Sequence, residues 1–210
     1  MTNFDAATVE AELSAYYDTE GDERSARPVD PRRAAARESF LASLSGNSRR
    51  VLEVGCGPGR DASAFIDAGH EYIAVDLSIE PARRCSRVGG EVALASVRCL
   101  PFRPGSFDAI WTMSTLMHVP DSAIESALAE VRRALVVGGV AAIGVWGGPD
   151  VESYSDESLK GRPSRLFSRR SAERWRSMLA AIGTVMAFET WGEDADFPYQ
   201  LALVRKDAAA

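Results

Sequence analysis

Cysteine and histidine are scarce in this chain: three and two among 210 residues. Cys56, Cys85 and Cys99 lie far apart and form no C-x-x-C pair. That pattern speaks against a structural zinc centre, and no metal is expected. An odd, sparse set of thiols suits a reducing compartment, so a cytoplasmic location is expected. The opening stretch, MTNFDAATVEAEL, lacks a basic region followed by an apolar one, and no signal peptide is expected there. No apolar run approaches the ~20 residues that cross a bilayer. Positive charge is in deficit, with a formal net charge of −6. A surface short of cations is a poor neutraliser of phosphate, so neither nucleic acid nor an anionic membrane is an expected partner. The chain also lacks internal repeats and long low-complexity tracts.

What is present is alternation. Residues 1–48 read as a helical cap belonging to the same domain as the rest. One helix runs from about Asp5 to Tyr17. Another opens at DPRRAAARESFLASL, where Asp30 suits an N-cap and Pro31 the first helical position. From Arg50 onward, short β-rich runs alternate with helical stretches. RVLEVG, YIAVDL, EVALAS, FDAIWTMS and GVAAIGVW are predicted strands. Between and after them, DASAFIDAG, IEPARRCSRV and DSAIESALAEVRRAL are predicted helices. Near-continuous apolar strands alternating with helices predict a parallel sheet covered on both faces. The end differs: helix SAERWRSMLAAIG, then strands TVMAFETW and YQLALVR joined by a short acidic turn. Strands joined so briefly pair antiparallel. The expected fold is α/β and Rossmann-like: a seven-stranded, mostly parallel sheet with one antiparallel strand, over residues 49–207. The polar stretch at 147–170 is expected as a loop beside the acceptor.

The stretch VLEVGCGPGR carries three glycines, Gly55, Gly57 and Gly59, directly after a strand. In an open parallel sheet, ligands bind beyond the carboxyl ends of the strands, where this loop sits. Glycine lets backbone approach a ligand closely. The helix start that follows, near Arg60 to Ala62, offers free N–H groups to a carboxylate or phosphate. Dinucleotide sites prefer G-x-G-x-x-G/A, in which the third small residue closes helix on strand. Here the third glycine comes one residue early and Arg60 takes the small residue's place, which argues against NAD. Glu53 lies in a strand expected to be buried, where an unpaired carboxylate is costly. It is expected to accept hydrogen bonds from loop N–H groups or from a ligand amine.

With these residues in view, VLEVGCGPGR resembles the first motif of class I S-adenosylmethionine-dependent methyltransferases, in the branch acting mostly on small molecules. The resemblance runs from about Arg49 to Arg205. YIAVDLS is similar to the family's second element, whose strand-end acid holds the ribose hydroxyls. This carries over to Asp76, with Leu77 beside it, and an acid ~20 residues past the glycine loop is what a ribose diol needs. CLPFRPGSFDAIW resembles the family's L-P-F-x-x-x-S-F-D segment. Where that segment is preceded by an adenine-contacting Asp in the family, this chain has Ser96, and a backbone group of Val97 is the alternative contact. RALVVGGVAAIGVWG resembles the R-x-L-x-P-G-G turn, with Val137 in place of proline. The resemblance implies S-adenosylmethionine as cofactor, with S-adenosylhomocysteine as product. It implies that the loop backbone at Gly55, Cys56, Gly57 and Gly59 touches the methionyl part, that Glu53 suits its ammonium, and that Met113 ends its strand and touches the cofactor through its backbone.

Methyl transfer from a sulfonium needs alignment above all. A hydroxyl or acidic carbon acceptor gains from a general base. His118, in STLMHVPD, is the candidate base, a role that competes with a purely structural one. Tyr16 and Tyr17 in the first helix suit an aromatic lid, or simple packing. Arg24, Arg27, Arg32 and Arg33 suit an anionic acceptor or the cofactor carboxylate. Tyr154, Phe167 and Arg169 are the candidate acceptor-side residues. The expected acceptor is a small molecule methylated at O, N or C, and the expected state a monomer or homodimer. The competing readings are an NAD-dependent oxidoreductase and a non-catalytic module that binds S-adenosylmethionine.

Overall fold

The computed structural model describes residues 4–19, 29–44, 49–154, 164–192 and 197–208. Arg24 and Arg27, and parts of the 147–170 stretch and of the acidic turn before the last strand, lie outside them. Two helices come first, α1 (Ala6–Thr19) and α2 (Pro31–Ser43). Asp30 caps α2 through a 2.7 Å bond from the Arg32 amide, with Pro31 in the first turn. Seven strands then build one sheet: β1 (Arg50–Val54), β2 (Glu71–Asp76), β3 (Glu91–Leu94), β4 (Phe107–Met113), β5 (Leu135–Trp146), β8 (Thr184–Trp191) and β9 (Tyr199–Arg205). The helices between them are α3 (Ala62–Asp67), α4 (Ile79–Val88), α5 (Ile124–Ala134) and α6 (Ala172–Leu179).

The sheet order is β3-β2-β1-β4-β5-β9-β8. β1 to β5 pair in parallel, and β9 runs antiparallel to both β5 and β8. The single reversed strand predicted near the chain's end is β9. Period-two alternation sorts the strand residues onto two faces. Leu52, Val54, Ile73 and Val75 join the core under α5 and α6, with Leu128, Val131, Trp175 and Leu179. Val51, Tyr72 and Trp111 join the core under α2, α3 and α4, with Phe40, Phe65 and Cys85. Helices therefore cover both faces, as near-continuous apolar strands require.

The 147–170 stretch departs from a plain loop. Val151–Tyr154 (β6) and Leu166–Arg169 (β7) form a separate antiparallel pair. Their sequences, VESY and LFSR, are short and polar, so periodicity gave no strand signal.

The order reverses at β1, whose neighbours are β2 and β4. Chain from the carboxyl ends of β1, β2 and β4 therefore converges on one crevice, the switch-point position for a ligand. α1 lies across that edge. Its Ser14 hydroxyl reaches the Leu77 carbonyl at 3.4 Å, and its Asp18 accepts from the Glu80 amide at 3.0 Å.

Candidate active site

The crevice holds a cavity of about 520 Å³, within the usual range for small-molecule sites, about 300–1,000 Å³. Its floor is the glycine loop, with Gly55, Cys56 and Gly57 lining it beside Asp76, Leu77 and Ser78. A smaller recess of about 50 Å³ adjoins it, bounded by Asp76, Leu77, Ser96, Val97 and Glu10.

Two of the glycines are required for different reasons. Gly55 sits at φ +74°, and a Cβ there would fall 2.1 Å from the Thr115 hydroxyl. The Thr115 side chain needs that space to donate to the Val54 carbonyl at 3.1 Å, tying the end of β4 to the end of β1. Gly57 sits at φ +55°, with open space where its Cβ would point. Its amide donates to Asp76 Oδ2 at 2.8 Å, so the loop is held by the same carboxylate expected to clamp a ribose. Gly59 does not line the cavity. A Cβ there would lie 2.9 Å from the Cys85 Cα, so its smallness lets the loop pack on α4.

Asp76 is buried, and its other oxygen accepts from the Ser78 amide at 2.9 Å. Burial pushes its carboxyl above the usual range, while the amides of Ser78, Gly57 and Leu77 pull the other way. Each carboxylate oxygen has a second lone pair open to a ligand hydroxyl. Ser78 starts α4 but makes no capping bond through its side chain. Its buried hydroxyl lines the cavity and has no partner among the described residues. An orphaned hydroxyl beside a strand-end acid fits a nucleoside sugar, since buried polar groups ordinarily find partners.

Glu53 is placed differently from expectation. Alternation puts it on the Val51 face, at 1% exposure, and it does not line the cavity. Its carboxylate accepts from the Tyr72 hydroxyl at 2.5 Å. The amides of Gly55 and Cys56 donate instead to the Val75 carbonyl, at 2.8 and 3.2 Å. The loop is thus braced by strand β2 and Asp76, not by Glu53. Burial, and then the nearby charge of Asp61, hold the Glu53 carboxyl well above its ordinary range. A carboxyl raised in the fold stabilises below its unfolded value near 4.5 and loses that contribution as pH climbs toward the folded value. Glu53→Gln keeps an acceptor for Tyr72 and removes the titration. Thermal melts from pH 5 to 8 should show the variant gaining on the wild type as pH rises. A constant gap across that range would contradict the assignment.

The adenine-side expectation also changes. Ser96 and Val97 do bound the recess. The Ser96 hydroxyl, however, donates to Glu10 Oε1 at 2.5 Å and accepts from the Arg98 amide at 3.0 Å. Arg98 holds both Glu10 oxygens at 2.7 Å. An acid from α1 therefore stands beside the serine, a juxtaposition across 86 residues that no local motif announces.

At the end of β4, Met113 lines the cavity. The next residue, Ser114, has φ +60° and is the non-glycine with positive φ among the described residues. Its amide donates to the Gly144 carbonyl at 2.7 Å. Such a left-handed turn at a non-glycine costs about 1–3 kcal/mol and gathers at functional sites. It carries the chain into the 3-10 turn Leu116–His118.

His118 is buried and lines the cavity. Its Nδ1 lies 2.7 Å from the Leu166 carbonyl in β7. A carbonyl only accepts, so Nδ1 carries the proton and Nε2 is the acceptor. Nε2 is 2.9 Å from the Tyr17 hydroxyl, which therefore donates to it. Arg165 reaches the same hydroxyl at 3.3 Å. The turn itself is pinned by buried Arg170, whose guanidinium donates to the Val119 carbonyl at 2.9 Å and to Asp121 at 3.0 Å.

The other sequence-predicted residues divide. Tyr17 lines the cavity. Tyr16 is a core residue with its ring under Arg165, so the pair is not a two-ring lid. Arg32 and Arg33 line the cavity. Tyr154, Phe167 and Arg169 do not. Tyr154 packs edge-on against Phe4, Phe167 backs the His118 ring at 4.9 Å, and Arg169 lies over Phe197 at 4.1 Å. The polar pattern of their segment suggested a lining role, but β6 and β7 pair with each other and stand behind His118.

Sequence reasoning missed Asp61. It does not cap α3 with its side chain. It is fully buried and accepts from Arg33 at 2.5 and 3.2 Å, Arg37 at 2.8 Å and the Trp111 indole at 2.9 Å. Burial alone would raise its carboxyl, but the Arg33 charge and these bonds hold it below the usual range. The signal was present in the i, i+4 pair Arg33 and Arg37 on one helix face.

Among the described residues, no group of three His, Cys, Asp or Glu is placed to hold a metal, and no helix is long and apolar enough to cross a membrane.

Comparison with known proteins agrees with this geometry. Residues 51–139 match the family model described as a methyltransferase domain. The ubiquinone biosynthesis O-methyltransferase of Bordetella parapertussis is 32% identical over 132 residues, which are 58% of this chain and 54% of that protein. The chain thus spans about half the length of the curated relatives it matches. The fold is similar to the Burkholderia thailandensis 1,6-didemethyltoxoflavin-N1-methyltransferase, solved with 1,6-didemethyltoxoflavin and S-adenosylhomocysteine. The TM-score is 0.75 at 22% identity, over 99% of this chain and 93% of that one. A structure of DhpI with S-adenosylhomocysteine gives a TM-score of 0.74 at 24% identity, over 98% and 100% of the two chains. Residues 51–139 thus match a methyltransferase domain, and the sheet order and the glycine loop held by Asp76 are those of a fold similar to a methyltransferase solved with S-adenosylhomocysteine.

Proposed function

We propose that this chain transfers the methyl group of S-adenosylmethionine to a small-molecule acceptor in the cytoplasm, with residues 1–48 as a cap of the same domain. The observation that carries the reading is the Asp76–Gly57–Ser78 cluster, a strand-end acid holding the glycine loop beside an orphaned hydroxyl. Asp76 and Ser78 take the ribose hydroxyls, and Gly57 leaves its Cβ space to the ligand. Bound S-adenosylmethionine supplies a methyl group already activated by the sulfonium. The chain's own task is alignment, which accounts for most of the acceleration in a displacement of this kind. Met113 and Ser114, at the strained end of β4, would border that methyl and the acceptor.

His118 takes the proton of the acceptor through Tyr17. The Tyr17 hydroxyl gives its proton to Nε2 as it receives the acceptor's, and the Leu166 carbonyl holds Nδ1–H throughout. Relays of this sort contribute about 10²–10⁴-fold. A small-molecule acceptor is supported by the neighbour solved with 1,6-didemethyltoxoflavin and by the ubiquinone biosynthesis O-methyltransferase relative.

The test is a mass-spectrometric assay with methyl-labelled S-adenosylmethionine and a panel of phenols and nitrogen heterocycles. Labelled product and S-adenosylhomocysteine in equal amounts are expected. Tight cofactor binding without product from any acceptor would favour a non-catalytic module. Failure to bind S-adenosylhomocysteine would overturn the cofactor site itself.

A further inference from the structure

Opposite the glycine loop, the cavity is walled by aromatic rings that no motif or comparison assigns. Trp146 ends β5, Trp191 ends β8, and Tyr199 begins β9 between them. The register pairs Trp146 with Tyr199 and Tyr199 with Trp191. Directly opposed residues on neighbouring strands share a face, so three large rings stand in one row at the cavity's mouth. Trp191 and Tyr199 stack at 5.3 Å with 19° between planes, and Trp146 meets Tyr199 edge-on at 5.1 Å. Phe197, one turn before β9, extends the wall.

Two features suit this wall to a ligand, although Tyr199 itself is buried. Trp146 and Phe197 are each 44% exposed, and all four rings line the cavity. Apolar surface left open inside a concave site is what ligands cover. The row is also deliberately accommodated. A Cβ on Gly144 would lie 2.3 Å from the Tyr199 hydroxyl and 2.5 Å from Met113 Sδ. Glycine at that point of β5 lets Tyr199 lie flat against the strand ends. Its hydroxyl then reaches toward Ser114 at 3.4 Å, so the wall begins where β4 ends. Tyr17 and His118 line the same cavity.

We propose that the methyl acceptor is a planar aromatic ring, seated against the Trp146–Tyr199–Trp191 row with its reacting substituent toward Tyr17 and Met113. Stacked rings prefer flat partners offset at 4.5–7 Å, and the wall offers two differently oriented faces for that contact. An aliphatic acceptor of equal size gains burial but none of the stacking. The inference rests on the methyltransferase reading for the cofactor side and names the class of acceptor that the same site takes.

The experiment uses the full chain saturated with S-adenosylhomocysteine and two calorimetric probes. 2-Naphthol and decahydro-2-naphthol share a skeleton and a hydroxyl and differ in the flat π system. 2-Naphthol is expected to bind at least tenfold tighter. Trp191→Leu and Trp146→Leu should each weaken 2-naphthol about fivefold or more, while S-adenosylhomocysteine affinity stays within twofold of wild type. Equal binding of the two probes, binding of neither, or tryptophan variants that hold 2-naphthol like wild type would each overturn the proposal. The S-adenosylhomocysteine titration is a separate arm. Its failure would strike the cofactor reading, whereas its success with a failed probe arm would strike the acceptor class alone.

Discussion

Asp76→Ala should lower affinity for S-adenosylhomocysteine at least about 100-fold. A hydrogen bond to a charged acceptor contributes about 1.5–3 kcal/mol, and two ribose hydroxyls lose theirs together. The same change strips the acceptor from the Gly57 and Ser78 amides, so the loop loses its shape as well as its ligand partner. Asp76→Asn separates the two effects. Its amide oxygen can still accept from one N–H, and the loss should fall to about tenfold. Calorimetric titration measures both, and a thermal melt of each variant checks that the fold persists. His118→Ala, which leaves this cluster intact, should change the affinity far less. Equal losses for Asp76→Ala and His118→Ala would contradict the site as drawn.

Asp61→Ala should cost about 3–5 kcal/mol of stability, because breaking a buried ion pair from one side leaves uncompensated charge behind. Arg33, Arg37 and the Trp111 indole all lose their acceptor at once. At roughly 2–4 °C per kcal/mol for a domain of this size, the melting temperature should fall on the order of 10 °C. The pH dependence has a definite sign. A carboxyl held below its unfolded value of 3.8 in the fold stabilises above that value and loses the contribution as pH falls toward the folded one. The wild type should therefore lose its advantage over Asp61→Ala below about pH 4. Scanning calorimetry at pH 7 and in acid reads both effects, and a variant that melts with the wild type at neutral pH would remove Asp61 as the anchor of α2.

The sheet was legible because its signals are local. Seven strands and their helices follow from runs of β-branched and apolar residues broken by glycine and polar turns, and β8 and β9 fall where TVMAFETW and YQLALVR predicted them. Gly55, Gly57 and Asp76 were legible for the same reason, since the loop and the strand-end acid lie within one β-α-β unit. What escaped depends on pairing between distant segments. Glu53 was placed correctly in a buried strand, yet its partner, Tyr72, is fixed by β1–β2 register rather than by the loop. Glu10 reaches Ser96 only because α1 crosses the sheet edge. The tryptophan row exists only once β9 is inserted between β5 and β8. The pairing of Tyr154 and Arg169 in the β6–β7 hairpin was not legible, because their short polar runs carry no strand period.

The placement of α1 also bears on the tempo of turnover. Glu10 grips Arg98, Ser14 touches the Leu77 carbonyl, Asp18 holds the Glu80 amide, and Tyr17 meets His118. These four fastenings span about two turns of one helix, beside the crevice proposed for the nucleoside. If the proposed site holds the nucleoside, the dwell time of the by-product depends on the opening of this N-terminal helix, and shortening the helix should hasten its departure.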